Sequence, residues 1–126
     1  MKRSHIAIIA IVGIAAVLGA VVVAWQLSKL SFAGGMDARF GAQHLKTTVA
    51  LVELHKVRYG SYPAQLSDLK FLGDWDPIAV NNVLYAVNGD RTRYCVSVQR
   101  GWIGKPKLEM PDEFWRGTGY DAALCR

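Results

Sequence analysis

The sequence predicts an α+β fold: a long N-terminal helix, membrane-spanning in its first half, whose second half packs on a small antiparallel β-sheet. Three observations predict it. Ile6 to Ala24 contains no charged or hydroxyl residue. Between Asp37 and Tyr59, apolar residues recur near the 3.6-residue period of a helix. Two runs rich in Val, Leu and Tyr flank Asn88-Gly89-Asp90, which is the pattern of a hairpin.

The N-terminal segment comes first. A run of about 19 apolar residues rising 1.5 Å each gives roughly 28 Å of helix, close to the hydrocarbon thickness of a bilayer. A cleavable signal peptide has a shorter apolar region, although Val22-Val23-Ala24 and Ser31-Phe32-Ala33 both have the small residues of a cleavage site. Residues 1–5 are therefore read as a basic cytoplasmic start and residues 6–28 as a transmembrane helix. Lys2 and Arg3 precede the span, so the positive-inside rule retains the N-terminus in the cytoplasm and exports the rest; Lys29 opposes that bias slightly. Trp25 falls at the far edge, where an indole favours the headgroup layer. Gly13, Ala16, Gly19 and Ala20 provide small residues at helical spacing, which lets a second helix approach; Ala and Gly are also simply common in membrane helices.

Residues 29–126 form the exported domain. Ser31 to Gly35 reads as a break, since Gly34-Gly35 is a poor helix interior. A helix over about 37–59 follows. Asp37 suits its start, Phe40, Leu45, Val49, Val52 and Leu54 mark its apolar face, Lys56 and Arg58 suit its last turn, and Gly60 stops it. Ser61-Tyr62-Pro63 opens a connector leading to a helical turn through Leu66, Leu69 and Leu72, and Asp74, Asp76 and Pro77 mark a loop. The hairpin covers about 82–99, with Tyr94, Val96 and Val98 on one face of its second strand and Cys95 and Ser97 on the other. Leu108 to Trp115 is a candidate further strand, which Pro111 confines to an edge or interrupts.

In an exported domain, Cys95 and Cys125 read most simply as one disulfide; free thiols are the alternative. Closing that loop would stabilise the fold by roughly 3–4 kcal/mol in the chain-entropy treatment. Trp102, Trp115 and Tyr120, with Phe114 and Ile103, cluster in the C-terminal third. They suit either a partner surface or a second layer of a small core.

Ala50-Leu51-Val52-Glu53-Leu54-His55-Lys56-Val57-Arg58-Tyr59-Gly60-Ser61-Tyr62-Pro63, followed by Leu66 and Leu69, resembles the end of the spine helix and the Tyr-Pro turn of type IV pilins and type II secretion pseudopilins. The resemblance runs from the basic start through the hairpin. It implies a short leader containing Lys2 and Arg3 and a mature start near Ile6. The cysteine pair is similar to the disulfide that encloses the C-terminal loop of many type IV pilins. His5 stands where the family leader ends in Gly, and Ala10 where the mature family chain carries Glu. The resemblance thus implies a permanently anchored relative in a bacterial inner membrane, its exported domain periplasmic or extracellular. Its implied partners are membrane lipid and either sister subunits or a membrane assembly platform.

Other chemistry is not indicated. The formal net charge of +5 has its Lys and Arg interspersed with Asp and Glu, with no dense basic stripe for a nucleic-acid backbone. His5, His44 and His55 are dispersed without metal-ligand spacing, and the latter two read as solvated helix residues. Asp112, Glu113 and Asp121 lack the alternating oxygen pattern of a calcium loop and read as surface carboxylates. Gly117-Thr118-Gly119 is too short for a phosphate loop. No serine sits in a nucleophile elbow. The expectation is a non-enzymatic structural or assembly subunit without a cofactor. The alternatives are an accessory single-pass subunit of another membrane complex and a secreted small binding domain.

Overall fold

The first helix, α1, runs without interruption from Lys2 to Tyr59. The computed structural model describes residues 2–70 and 72–126, with residues 2–4 described by backbone alone. The expected break at Ser31–Gly35 is absent. Each glycine costs a helix interior about 1 kcal/mol relative to Ala. Neither Gly34 nor Gly35 has a neighbour that a Cβ would meet, so no tertiary contact bends the chain there. That penalty alone does not interrupt a helix with good formers on both sides.

The chain divides into two units, Met1–Ala33 and Gly34–Arg126. In the first, every large apolar side chain from Ile6 to Phe32 is exposed, at 58–72%. Its one helix is long and apolar enough to cross a membrane. The Ser28 hydroxyl donates back to the Ala24 carbonyl at 2.8 Å, so this polar group is satisfied within the helix.

In the second unit, residues 34–59 of α1 bury a stripe made of Gly41, His44, Leu45, Thr48, Val49, Val52 and His55. The spacing is the i, i+3, i+4, i+7 of a helix face against a core. Phe40 and Leu54, expected on that face, lie at its margins, respectively exposed and half-buried. Leu45, Val49 and Val52 pack with Tyr62, Val83, Tyr94, Val96 and Val98. The sheet has two antiparallel strands, β1 (Val83–Val87) and β2 (Tyr94–Val98), with Val83 opposite Val98 and Val87 opposite Tyr94. In β2, Tyr94, Val96 and Val98 face the core as alternation requires. A third segment adds one parallel bridge: Tyr94 N–H donates to the Gly119 carbonyl at 3.0 Å, and Asp121 N–H to the Tyr94 carbonyl at 2.7 Å.

Two other segments differ from expectation. The supposed loop at Asp74–Pro77 leads into a short helix, α2 (Asp76–Val80). Pro77 sits in its first turn, where a missing N–H costs nothing, and the Asp76 carboxylate accepts from Gly73 N–H at 2.6 Å. Leu108–Trp115 contributes no strand, and its end coils into α3 (Asp112–Trp115). Pro111 cannot donate to a ladder, and its carbonyl instead accepts from Phe114 N–H at 2.9 Å. Leu66–Asp68 forms the expected helical turn, as a 3-10 turn.

Candidate functional site

In the first unit the described large apolar side chains are exposed on every side of the helix. Gly13, Ala16 and Ala20 lie within about a sixth of the helix circumference at 3.6 residues per turn, with Gly19 at the edge of that stripe. A Cβ on Gly13 or Gly19 would meet nothing. Trp25 is exposed, and the Lys29 ammonium lies 5.4 Å from its ring centroid, one helical turn on. The side chains of Lys2 and Arg3 lie outside the described residues.

In the second unit the polar centre is Glu53, a residue whose role sequence reasoning missed. It stands on α1 beside the buried stripe, where its carboxylate accepts from Tyr94 Oη at 3.0 Å, Tyr62 Oη at 3.1 Å and Gly119 N–H at 3.3 Å. Lys56 Nζ donates to Tyr62 Oη at 3.3 Å. One carboxylate therefore ties together the helix, the Tyr62 turn, β2 and the C-terminal segment. Burial pushes the Tyr94 and Tyr62 hydroxyls up, and the Glu53 charge pushes the same way. Burial likewise raises Tyr85, whose hydroxyl donates to the Pro63 carbonyl at 2.8 Å. Gly119 is required at this point, because a Cβ there would overlap the Tyr62 ring.

A second carboxylate does comparable work nearer the start of the unit. Asp37 was expected to open a helix; it lies inside one, and its Oδ1 accepts from three consecutive amides. Trp102, Ile103 and Gly104 donate at 2.7, 2.6 and 3.0 Å. These hydrogen bonds hold the Asp37 carboxyl below the usual carboxylate range.

The histidines correct the expectation of solvated residues. His44 and His55 are 5% and 9% exposed. His44 Nδ1 lies 3.1 Å from the Arg100 carbonyl and His55 Nδ1 lies 3.0 Å from the Ser61 carbonyl. A carbonyl only accepts, so each Nδ1 carries the proton and donates. Each ring thus satisfies a loop carbonyl from the helix face.

Cys95 and Cys125 form a disulfide with their Cα atoms 5.5 Å apart, joining buried β2 to the C-terminal 3-10 turn. The aromatic cluster divides. Trp115 stacks on Tyr120 at 3.7 Å between centroids, and both pack against the core. Trp102 is instead 47% exposed, beside Ile103 at 62%. Asp121 accepts from Ala123 N–H as a helix cap, and Glu113 meets Arg116 at 4.0 Å on the surface. Among the described residues, no three His, Cys, Asp or Glu side chains are grouped to hold a metal ion. Compared with family models, curated proteins and solved structures, this chain finds no match.

Proposed function

We propose that the chain is a single-pass membrane protein whose exported domain serves as a structural or assembly subunit, in the manner of a permanently anchored pilin-like protein. The observation that carries this reading is the anchor surface itself. From Ile6 to Leu30, all the large apolar side chains are exposed. At about 25 cal/mol per Å², so extended an apolar surface is strongly unfavourable in water and is matched by lipid. The Cys95–Cys125 disulfide supports an oxidising compartment for the second unit. Lys2 and Arg3 ahead of the span support a cytoplasmic N-terminus in a bacterial inner membrane, with the second unit periplasmic or extracellular. The chemistry is non-enzymatic: the polar centres at Glu53 and Asp37 are committed to the protein's own donors.

Lateral packing of the anchor through Gly13, Ala16, Gly19 and Ala20 joins sister subunits or a membrane platform, with the second unit making the remaining contacts. Membrane fractionation of the native protein, followed by N-terminal sequencing, tests this. Retention through alkaline extraction with a start at Met1 supports the permanent anchor, and a start at Ile6 supports pilin-type processing. A soluble protein starting at Trp25 or Gly34 refutes the membrane reading and leaves a secreted binding domain. Cross-linking from position 16 to an unrelated membrane protein, rather than to a second copy, favours the accessory-subunit reading.

A further inference from the structure

The edge of β2 that faces away from β1 is only partly used. Alternate residues of an antiparallel strand turn their backbone groups towards the partner and away from it. Gln99 N–H donates to the Asn82 carbonyl and Asn88 N–H to the Arg93 carbonyl, which fixes the phase of this pair. Cys95 and Ser97 therefore bond β1, whereas Tyr94, Val96 and Val98 address the opposite edge. Tyr94 finds its partners there in Gly119 and Asp121. A parallel neighbour running on past Asp121 would serve Val96 next. The chain coils instead into the 3-10 turn Ala122–Cys125, and the Asp121 carbonyl takes Leu124 N–H at 3.2 Å. Among the described residues, no group bonds the outward N–H or C=O of Val96 or Val98.

These four groups are not on an open surface. Val96 and Val98 are 2% and 7% exposed, and a cavity of about 410 Å³ lies against them. Buried backbone groups are nearly always paired, so this edge calls for a partner that supplies donors and acceptors in turn. The chain itself passes close by without supplying them. After the tip at Trp102–Gly104, which Asp37 clamps, it continues as an arm over residues 105–110. Along this arm Pro106, Leu108 and Met110 are half-buried and Lys105, Lys107 and Glu109 exposed, the alternation of a strand. Pro106 is seated on Gly41, where a Cβ would overlap it. Arm and β2 both line the cavity, and no backbone hydrogen bond joins them across it.

The lining says what kind of guest fits. Leu45, Leu108, Met110 and Trp115 make it apolar, while Lys105 and Glu109 bring opposite charges. It favours apolar side chains and neither sign of charge, so the unpaired backbone makes the specific demand. Groups recurring every second residue, about 6.6 Å along β2, are met by another extended backbone about 4.8 Å away. We propose that the Val96–Val98 edge takes an extended peptide segment of a partner protein by strand addition. The segment enters between β2 and the 105–110 arm, with apolar residues at alternate positions towards Leu45. The pairing involves the second unit alone and stands whether or not the first crosses a membrane.

Amide hydrogen exchange, followed residue by residue by NMR on the full chain in detergent micelles, tests this. The probe is the peptide acetyl-Lys-Thr-Val-Thr-Val-Thr-Lys-amide, whose main chain supplies the pairing. The expected result is that exchange at Val96 and Val98 slows about tenfold or more at saturating peptide. Cys95 and Ser97, already bonded to β1, should stay as they were. The same peptide N-methylated at every Thr and Val has no donors to give and should protect neither valine. Equal binding of the methylated peptide overturns the pairing, because the contact is then made by side chains alone. Val96 and Val98 amides unchanged by the parent peptide overturn it as well. Amides as slow as those of Cys95 and Ser97 before any peptide is added mean that bound water or the arm already closes the edge. That result overturns the proposal too. Protection at Val83 and Val87 instead moves the guest to the free edge of β1 and overturns the assignment. Protection that rises with protein concentration alone overturns it in favour of a second copy of this chain.

Discussion

Two stretches of one helix obey opposite surface rules. From Ile6 to Leu30 the large apolar side chains ring the helix and all are exposed, with no single buried stripe among the described residues. From Gly41 to His55 burial follows a single stripe, and that stripe includes Gly41, His44, Thr48 and His55 beside Leu45, Val49 and Val52. The first stretch is ordered by the backbone hydrogen bonds of its helix, and the second adds tertiary packing to them. Helicity by itself says little about what a segment contacts, whereas the angular distribution of burial says a great deal.

The largest expected effect belongs to the second unit alone. Reducing the disulfide, or replacing Cys95 and Cys125 by Ser, frees a loop with a sequence separation of 30. We expect a loss of roughly 3–4 kcal/mol in denaturant unfolding of the second unit. The far-UV helical signal of the anchor in detergent should be unchanged. A signal that collapses with the disulfide would break the distinction between the two stretches.

A matched pair of truncations sharpens it. Val52 is fully buried on the stripe and Val21 is exposed in the anchor. Val52→Ala should cost about 2 kcal/mol, through lost methyl groups and the cavity left behind. Val21→Ala should leave the unfolding midpoint of the second unit where it was. Equal shifts would mean that the core depends on the anchor.

Glu53 comes next. Glu53→Ala leaves the buried Tyr62 and Tyr94 hydroxyls without their acceptor, and the expected loss is about 1–3 kcal/mol. The same tyrosines set an alkaline limit. Their hydroxyls titrate above the ordinary 10.0, chiefly because burial disfavours the phenolate. A raised value stabilises fully below the unfolded value and is lost as pH climbs through the folded one. Chemical stability should therefore be level up to about pH 10 and fall beyond it, with Tyr94→Phe flattening the fall.

How much of this was legible in the sequence follows the range of the interactions. The uncharged run, the alternation of Tyr94, Val96 and Val98, and the turn at Asn88–Gly89 are local patterns, and the structure carries them. Asn88 shows why: its side-chain oxygen accepts from the amides of Thr92 and Arg93 at 2.9 Å each, all within one turn. The polar centres are not local. Glu53 meets Tyr94 across 41 residues, and Asp37 meets the Trp102–Gly104 amides across 65 to 67. Neither carboxylate has a neighbour in sequence that announces its partner. The histidines look like solvated helix residues for the same reason, since the carbonyl that buries His44 belongs to Arg100. Gly34-Gly35 misleads in the other direction: a local penalty of about 1 kcal/mol per glycine suggests a break that the surrounding helix does not honour. Trp102 and Trp115 share a composition and differ only in what the fold brings beside them.

The smallest effect expected is confined to the clamp at Asp37. Its carboxyl is held below the ordinary 3.8 mainly by the amides of Ile103 and Gly104. A depressed value adds stability above the unfolded value, and that contribution disappears as pH falls through the folded one. Between pH 5 and 8 the tip should be closed and insensitive to pH; below about pH 4 it should begin to open while the disulfide-closed core persists. The Trp102 emission, isolated by difference against Trp102→Phe, reports the opening. Asp37→Asn keeps an oxygen acceptor facing the amides and removes the titration, so its Trp102 signal should be flat with acid. Because the second unit hangs on a clamp at one end and a carboxylate hub at the other, acid should loosen the Asp37 end first and alkali the tyrosine end. If both ends open together in acid, the two carboxylates belong to one cooperative unit instead of two local ones.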